Sequence, residues 1–339
     1  MNNRVLIVAE MSANHNGSKE VALETVRAAK RAGADAIKIQ TYTADTITLD
    51  CDNEDFQIKQ GTLWDGQTLY KLYQQAYTPW EWHKDIFEEA KKVGLICFST
   101  PFDFSAVDFL EELDNPIYKI ASFEITDIPL IEYAASKQKP MVISTGIATE
   151  EDILLAVEAC RRVGNNDITI LKCTSSYPAP IEEANLCMLK DLADRFRVKV
   201  GLSDHTMGVI CPIVATAMGA TLIEKHFILD RSIGGPDASF SMNEKEFAEM
   251  VSMIRDAEKS IGNVNYSLSE RKKINRNFAR SLYVAEDIKK GDIITNKNVR
   301  SVRPSLGLHP KYYNDIMGKK VKCDLKKGDR ITWDIINEE

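Results

Sequence analysis

V-L-I-V-A-E-M-S-A-N-H-N-G, residues 5–17, decides between the two common ways of building a parallel α/β fold. The apolar run Val5 to Ala9 is short enough for one buried strand and stops at Glu10, and an amphipathic segment begins at Lys19. A doubly wound sheet that binds a dinucleotide carries a G-x-G-x-x-G turn at this point, for the phosphates. No such turn is present between Glu10 and Gly17. The run is also too short and too early interrupted to be a signal-peptide core.

Working outward, seven further runs of the same kind follow: Ala36–Tyr42, Leu95–Thr100, Ile117–Ser122, Pro140–Gly146, Ile168–Thr174, Val198–Asp204 and Thr221–Phe227. Amphipathic helical patterns lie between them, among others Lys19–Gly33, Pro79–Gly94, Thr149–Gly164 and Ala184–Phe196, with a last one from Asn243 to Gly262. Gly33, Gly94 and Gly164 fall where helix C-termini belong. Near-continuous hydrophobicity suits parallel strands covered on both faces. Eight strand–helix units within residues 1–262 match the size of a (β/α)8 TIM barrel, the expected fold class. The connection Thr43–Thr78 is unusually long and carries Trp64, Tyr70, Tyr73 and Tyr77, so it is expected to fold over the barrel mouth as a lid or substrate wall.

From Asn263 the pattern gives way to a polar, basic stretch containing R-K-K-I-N-R-N (271–277). The expected division is a barrel domain at 1–262, a linker at 263–280 and a small β-rich module at 281–339. Two Lys-Gly-Asp turns, 290–292 and 327–329, point to pseudo-repeated hairpins in that module. It is near the lower size limit for independent stability.

Of the 339 residues 44% are apolar and 27% charged, ordinary for a globular chain, and the net charge of −7 argues against nucleic-acid binding. No stretch is long and apolar enough to span a membrane. The seven cysteines (51, 97, 160, 173, 187, 211 and 323) include no C-x-x-C pair, which argues against a disulfide framework or a zinc–thiolate site and for a cytoplasmic location.

Catalytic groups of a (β/α)8 barrel gather at the C-terminal ends of its strands. Those positions hold Glu10, Lys38 with Gln40, Ser99-Thr100, Lys119 with Ser122, Ser144-Thr145, Lys172 with Thr174, Asp204-His205 and Glu224-Lys225-His226. Strand alternation puts Lys38 with Gln40, and Glu224 with His226, on common faces. Lysines inside apolar strands are costly unless an anion meets them, and a phosphate or carboxylate substrate is that anion. The plainer alternative is that each snorkels or pairs with a strand glutamate. His205 and His226, at the ends of neighbouring strands, are candidates to hold a divalent metal with positions left open, against the alternative of hydrogen-bonded structural histidines. Glu10 and Glu124 are candidates for general acid–base work on a water or sugar hydroxyl, or for salt bridges to strand lysines. His15 is read as orienting the first loop or touching ligand, and His83 as a helix-surface residue.

The same positions carry a resemblance. A-E-M-S-A-N-H-N-G-S (9–18), I-K-I-Q-T-Y (37–42), Y-K-I-A-S-F-E (118–124), S-T-G (144–146), K-C-T-S-S-Y-P (172–178), G-L-S-D-H-T (201–206), E-K-H-F (224–227) and G-P-D (235–237) resemble the sialic acid synthase family. A-R-S-L-Y (279–283) and V-R-P-S-L-G-L-H-P (302–310) resemble its antifreeze-like C-terminal domain, a SAF or β-clip module, so the resemblance spans nearly the whole chain. L-W-D-G-Q-T-L-Y-K-L-Y (63–73), T-P-W-E-W-H (78–83) and G-L-H-P-K-Y (307–312) are most similar to the pseudaminic acid branch of that family.

The resemblance implies condensation of phosphoenolpyruvate with an acetamido sugar. The expected sugar is 2,4-diacetamido-2,4,6-trideoxy-L-altrose, with N-acetylmannosamine or another diacetamido sugar as the alternative. It implies phosphoenolpyruvate on Lys38, Thr100, Lys119, Ser122 and Ser144, and a divalent metal, Mn2+ or else Mg2+ or Co2+, on His205 and His226. Gln40, Glu124, Tyr177, Asp237 and Arg303 would face the sugar, with Ser175 a further candidate although neuraminic acid synthases usually carry Asn there. It also implies a domain-swapped homodimer in which Arg303, with Arg300 as competitor, reaches the partner's site. A metal-dependent hydrolase would want a richer His/Asp cluster, and an ice-binding protein regular Thr repeats.

Overall fold

The computed structural model describes residues 4–337 apart from 60, 62 and 63, so Leu63 of the L-W-D-G motif lies outside the described residues. Eight parallel strands close on themselves: β1 (Leu6–Glu10), β2 (Ala36–Thr41), β3 (Ile96–Pro101), β4 (Tyr118–Ile120), β5 (Met141–Ser144), β6 (Ile168–Cys173), β7 (Lys199–Asp204) and β8 (Leu222–His226). β1 joins the two ends of the sheet, with Glu10 opposite Lys38 of β2 and opposite His226 of β8. The (β/α)8 barrel expected from the apolar runs is the fold that forms.

Local chemistry places the helices around it. Ser18 accepts a hydrogen bond from Val21 N, and Thr149 and Asn243 form capping boxes with Asp152 and Glu246. Gly94, at φ +71°, ends the helix Trp80–Val93 in the left-handed region where glycine has no steric penalty.

Strand alternation divides the core in two. Ile7, Ile37, Ile39, Tyr118, Ile143, Ile170 and Ile223 face outward to the helices. Val8, Ala36, Phe98, Val142, Leu171 and Leu222 face inward and plug the lower half of the barrel. β7 contributes Gly201 at that level, because a Cβ there would collide with the Leu222 carbonyl and the Leu171 side chain. The residues two positions further along the strands make the polar floor of the mouth.

The long connection after β2 has secondary structure of its own among the described residues. It contains helices Ala44–Ile47 and Leu69–Ala76 and is tied across by Ile58 N donating to Gln67 O at 2.9 Å. Trp80 Nε1 donates to Tyr42 O at 3.1 Å, which fixes its end to β2.

Residues 263–339 form a second compact unit. The stretch expected as a plain linker contains a helix, Glu270–Arg276, capped by Ser269, which accepts from Lys272 N. Strands β9 (Ser281–Val284) and β10 (Val299–Val302) pair antiparallel over a separate core that includes Leu282, Ile294, Val299, Ile316, Val321 and Ile331. The two Lys-Gly-Asp turns belong to D-I-K-K-G-D (287–292) and D-L-K-K-G-D (324–329), which bond reciprocally. Asp324 accepts from Lys290 N at 2.8 Å and Asp287 from Lys327 N at 2.9 Å.

Candidate active site

At the C-terminal mouth four charged side chains are buried together on the barrel axis. Lys38 Nζ lies 2.8 Å from Glu10 Oε2, 3.5 Å from Glu224 Oε1 and 3.3 Å from Thr100 Oγ1. Lys119 Nζ lies 3.6 Å from the same Glu224 Oε1, which also accepts from Ser203 Oγ at 3.3 Å. Burial pushes the Glu10 carboxyl up despite the ammonium beside it. Burial opposes ionisation of Glu224 too, but Lys119 and Lys38 outweigh it and hold that carboxyl down. Lys38 and Lys119 therefore share the Glu224 carboxylate, and burial pushes the Lys119 ammonium down, so an anion bound here would favour its charged form.

Hydroxyls complete this floor. Ser122 Oγ accepts from Gly146 N at 3.1 Å and donates to Cys173 Sγ at 3.5 Å. A side chain on Gly146 would collide with the hydroxyls of Ser122 and Ser175, so glycine there lets both crowd the same spot. Ser144 Oγ is buried with no hydrogen-bond partner among the described residues, as are Glu224 Oε2, Glu124 Oε2 and His226 Nδ1. A native site leaves such groups unpaired where a ligand satisfies them.

The His205 and His226 rings are 5.3 Å apart, with Tyr177 4.3 Å from His205 and Phe240 5.0 Å from His226. Burial, reinforced by His205 and the nearby lysines, keeps the His226 imidazole neutral. His205 Nδ1 lies 3.0 Å from Thr174 O, the position for donating to that carbonyl, which leaves Nε2 as the free donor atom. The orphaned Nδ1 of a neutral His226 and the second imidazole beside it fit a divalent ion as nitrogen ligands. Among the described residues no group of three or more His, Cys, Asp or Glu side chains is arranged to hold one, so substrate or water would fill the other positions.

Above this floor lies a cavity of about 680 Å³ lined by Ser12, Gln40, Glu124, Tyr177, His226 and Asp237 on one side. Gln40 Nε2 donates to Glu10 Oε1 at 3.0 Å and Ser12 Oγ at 3.1 Å. Asp237 Oδ2 accepts from Ala13 N at 3.4 Å and stands 3.8 Å from His226 Nδ1. Burial pushes the Glu124 carboxyl up to about 7. The other side is the long connection, with Ile47, Ile58, Trp64, Leu69, Leu72 and Tyr73. The segment expected to be a lid or wall is thus a wall.

Glu10, Lys38, Thr100, Lys119, Ser122, Ser144, Ser175, His205 and His226 all lie at this mouth, and Gln40, Glu124, Tyr177 and Asp237 line the cavity. Arg303 lies in the second unit, exposed to solvent. Two of the four strand lysines correct the expectation of a common anion site. Lys225 points out of the barrel to Asp204 Oδ2 and Thr206 O, both at 2.5 Å, and Lys172 Nζ donates to Cys173 O at 2.8 Å. Both sit one residue out of phase with the inward-facing positions. His83 is likewise not on the surface: it is buried, 2.9 Å from Thr41 Oγ1. His15 accepts from Gly17 N at 3.1 Å and meets Thr78 Oγ1 at 3.1 Å, which shapes the first loop. Glu224, which strand alternation places on the face of His226, had no role in the expected site, and the aliphatic residues of helix Leu69–Ala76 were absent from it.

A barrel with a cationic, hydroxyl-lined floor and paired histidines under a half-apolar cavity defines a (β/α)8 enzyme for a small anionic substrate and a larger second one. Residues 25–266 match the NeuB family and residues 279–336 the SAF domain; the chain belongs to the NeuB family. It is 51% identical over 328 residues to the pseudaminic acid synthase of Campylobacter jejuni subsp. jejuni, covering 97% of this chain and 95% of that one. It is 49% identical over 334 residues to that of Helicobacter pylori, covering 97% of each. The crystal structure of spore coat polysaccharide biosynthesis protein SpsE from Bacillus subtilis is similar at a TM-score of 0.66 and 32% identity, over 99% of this chain and 96% of that one.

Proposed function

We propose that this chain condenses phosphoenolpyruvate with 2,4-diacetamido-2,4,6-trideoxy-L-altrose and water, giving pseudaminic acid and phosphate. The observation that carries this reading is the 51% identity with the Campylobacter synthase across 97% of the chain. The chemistry of the mouth supports it. Lys38 and Lys119, with Thr100, Ser122 and Ser144, bind the phosphate and carboxylate of phosphoenolpyruvate through charge-assisted hydrogen bonds. Gln40, Tyr177 and Asp237 orient the open-chain sugar so that its aldehyde faces the phosphoenolpyruvate methylene. His205 and His226 would hold a divalent ion, Mn2+ or else Mg2+ or Co2+, which as a Lewis acid polarises the aldehyde.

The methylene carbon forms the new C–C bond with the aldehyde carbon, whose oxygen takes up a proton. Positive charge left at C2 is met by water, which gives a proton to Glu124 or Glu10. The C2–O–P linkage then opens on its carbon side, phosphate leaves, and C2 becomes the ketone. Burial of Glu124, with its pKa near 7, suits it to accept and return that proton at neutral pH.

The reading includes a homodimer in which Arg303 completes the sugar site of the partner subunit. Arg303 is exposed and forms no ion pair among the described residues, which leaves it available. It also includes action in the cytoplasm, supported by seven unpaired cysteines and by the absence, among the described residues, of a helix able to cross a membrane.

The test is phosphate release from phosphoenolpyruvate with a panel of acetamido sugars and product identification by mass spectrometry and NMR. The trideoxy-L-altrose substrate should give pseudaminic acid, and chelation should stop turnover until Mn2+ or a similar ion is restored. Faster turnover of N-acetylmannosamine overturns the choice of sugar, and full activity after exhaustive chelation overturns the metal.

A further inference from the structure

The cavity above the floor is walled on one side by the barrel mouth and on the other by the long connection. The barrel strands and their loops contribute the polar groups Ser12, Gln40, Ser122, Glu124 and Asp237, beside the rings of Tyr42, Phe102, Phe123 and Tyr177. The half supplied by the long connection is mostly apolar. Leu69, Leu72, Tyr73 and Ala76 all line it, and their spacing of three, four and seven residues puts them on one stripe of helix Leu69–Ala76. Lys71, Gln74 and Gln75, on the other side of that helix, are exposed. Ile47 and buried Ile58 extend the apolar surface. The polar members from this connection do not change its character. Gln57 gives its amide to the Asp52 carbonyl at 2.8 Å, and Asp55 is exposed.

The wall is held in position. Tyr73 packs edge-on against Tyr42 at 5.7 Å, and Trp64 lies 5.9 Å from Tyr177, the ring beside His205. Thr68 caps the helix by accepting from Lys71 N at 3.3 Å. A fixed apolar face opposite the reacting groups selects what it can bury without hydrogen-bonding it.

We propose that the stripe Leu69, Leu72, Tyr73 and Ala76 is the specificity surface for the end of the sugar remote from the aldehyde, accepting a C6 methyl and disfavouring a C6 hydroxymethyl. The inference rests on the reading of the chain as a synthase acting on a 6-deoxy diacetamido sugar. The aldehyde must reach the histidines at the floor, so the opposite end of the open chain falls toward the wall. A C6 hydroxyl placed against Leu69 and Leu72 loses its water and gains no partner. Apolar pockets discriminate against such an added hydroxyl by about a hundredfold.

The experiment compares kcat/KM for 2,4-diacetamido-2,4,6-trideoxy-L-altrose and for the same sugar carrying a hydroxyl on C6, with phosphoenolpyruvate and Mn2+. Wild type should prefer the 6-deoxy sugar by about a hundredfold. Leu72→Gln should cut that preference to roughly tenfold or less by offering the hydroxyl a partner, without changing KM for phosphoenolpyruvate. Leu69→Gln provides the second variant, and far-UV circular dichroism and thermal melting check that each is folded. No preference in wild type, or an unchanged preference in both folded variants, overturns the specificity surface and leaves the synthase reading intact. Failure of wild type to condense either sugar overturns the synthase reading, and this inference with it.

Discussion

Replacing Glu124 by Gln removes a charge while keeping the shape of a half-buried side chain at the cavity edge. Glu124 Oε2 has no hydrogen-bond partner among the described residues, and burial pushes the carboxyl from 4.5 up to about 7. A carboxyl whose pKa is higher in the folded chain favours folding while it is protonated and loses that contribution as pH rises through the folded value. The shift spans roughly 2.5 pH units, so ionised Glu124 destabilises the fold by about 3 kcal/mol at pH 8 relative to pH 4. Glu124→Gln cannot ionise and escapes that loss, while every other titrating group is common to both proteins and cancels in the difference. Urea unfolding followed by tryptophan fluorescence should therefore show the stability difference between variant and wild type growing in favour of the variant by about 3 kcal/mol from pH 4 to pH 8. A general base with this pKa also makes the acid limb of the wild-type pH–rate profile bend near 7, and the variant should lose that bend along with most of its activity. A stability difference that is flat across this range would refute the burial argument, and a variant retaining the bend would refute the assignment of Glu124 as base.

The other expectations concern groups the structure separates. Lys119→Ala should weaken phosphoenolpyruvate binding by ~1.5–3 kcal/mol, seen as a raised KM for phosphoenolpyruvate with little change in that for the sugar; equal effects on both would count against an anion site. Lys225→Ala strands Asp204 without its buried partner and should cost ~3–5 kcal/mol of stability, measured by urea unfolding, whereas a loss near zero would mean the pair is solvated. Co-expression of His226→Ala and Arg303→Ala chains, each inactive alone, should restore about a quarter of wild-type activity if the arginine serves the partner's site, and a dead mixture would show that it does not.

Much of the architecture was legible in the linear order of residues. The eight apolar runs separated by amphipathic segments, and the missing glycine turn after Glu10, are local patterns that report a buried parallel strand and the kind of loop that leaves it. Lys38 with Gln40, and Glu224 with His226, were separable as shared faces because the side-chain period of a strand is two. That same period limits the inference for isolated residues. Lys119, Lys172 and Lys225 look alike in sequence, each a lone cation in an apolar run, and a phase of one residue sends Lys119 to the axis and the other two outward. Phase depends on how neighbouring strands are registered around the closed barrel, a property of pairs of strands far apart in the chain. Long-range packing also buried His83 against Thr41, on a helix whose own pattern left it at the surface. It likewise turned one stripe of the short helix Leu69–Ala76 toward the cavity, where its aliphatic residues meet the polar ends of the strands. Local periodicity therefore specified the elements and the kinds of groups at their ends, while closure of the barrel chose which of those groups meet, because only closure sets register and burial together.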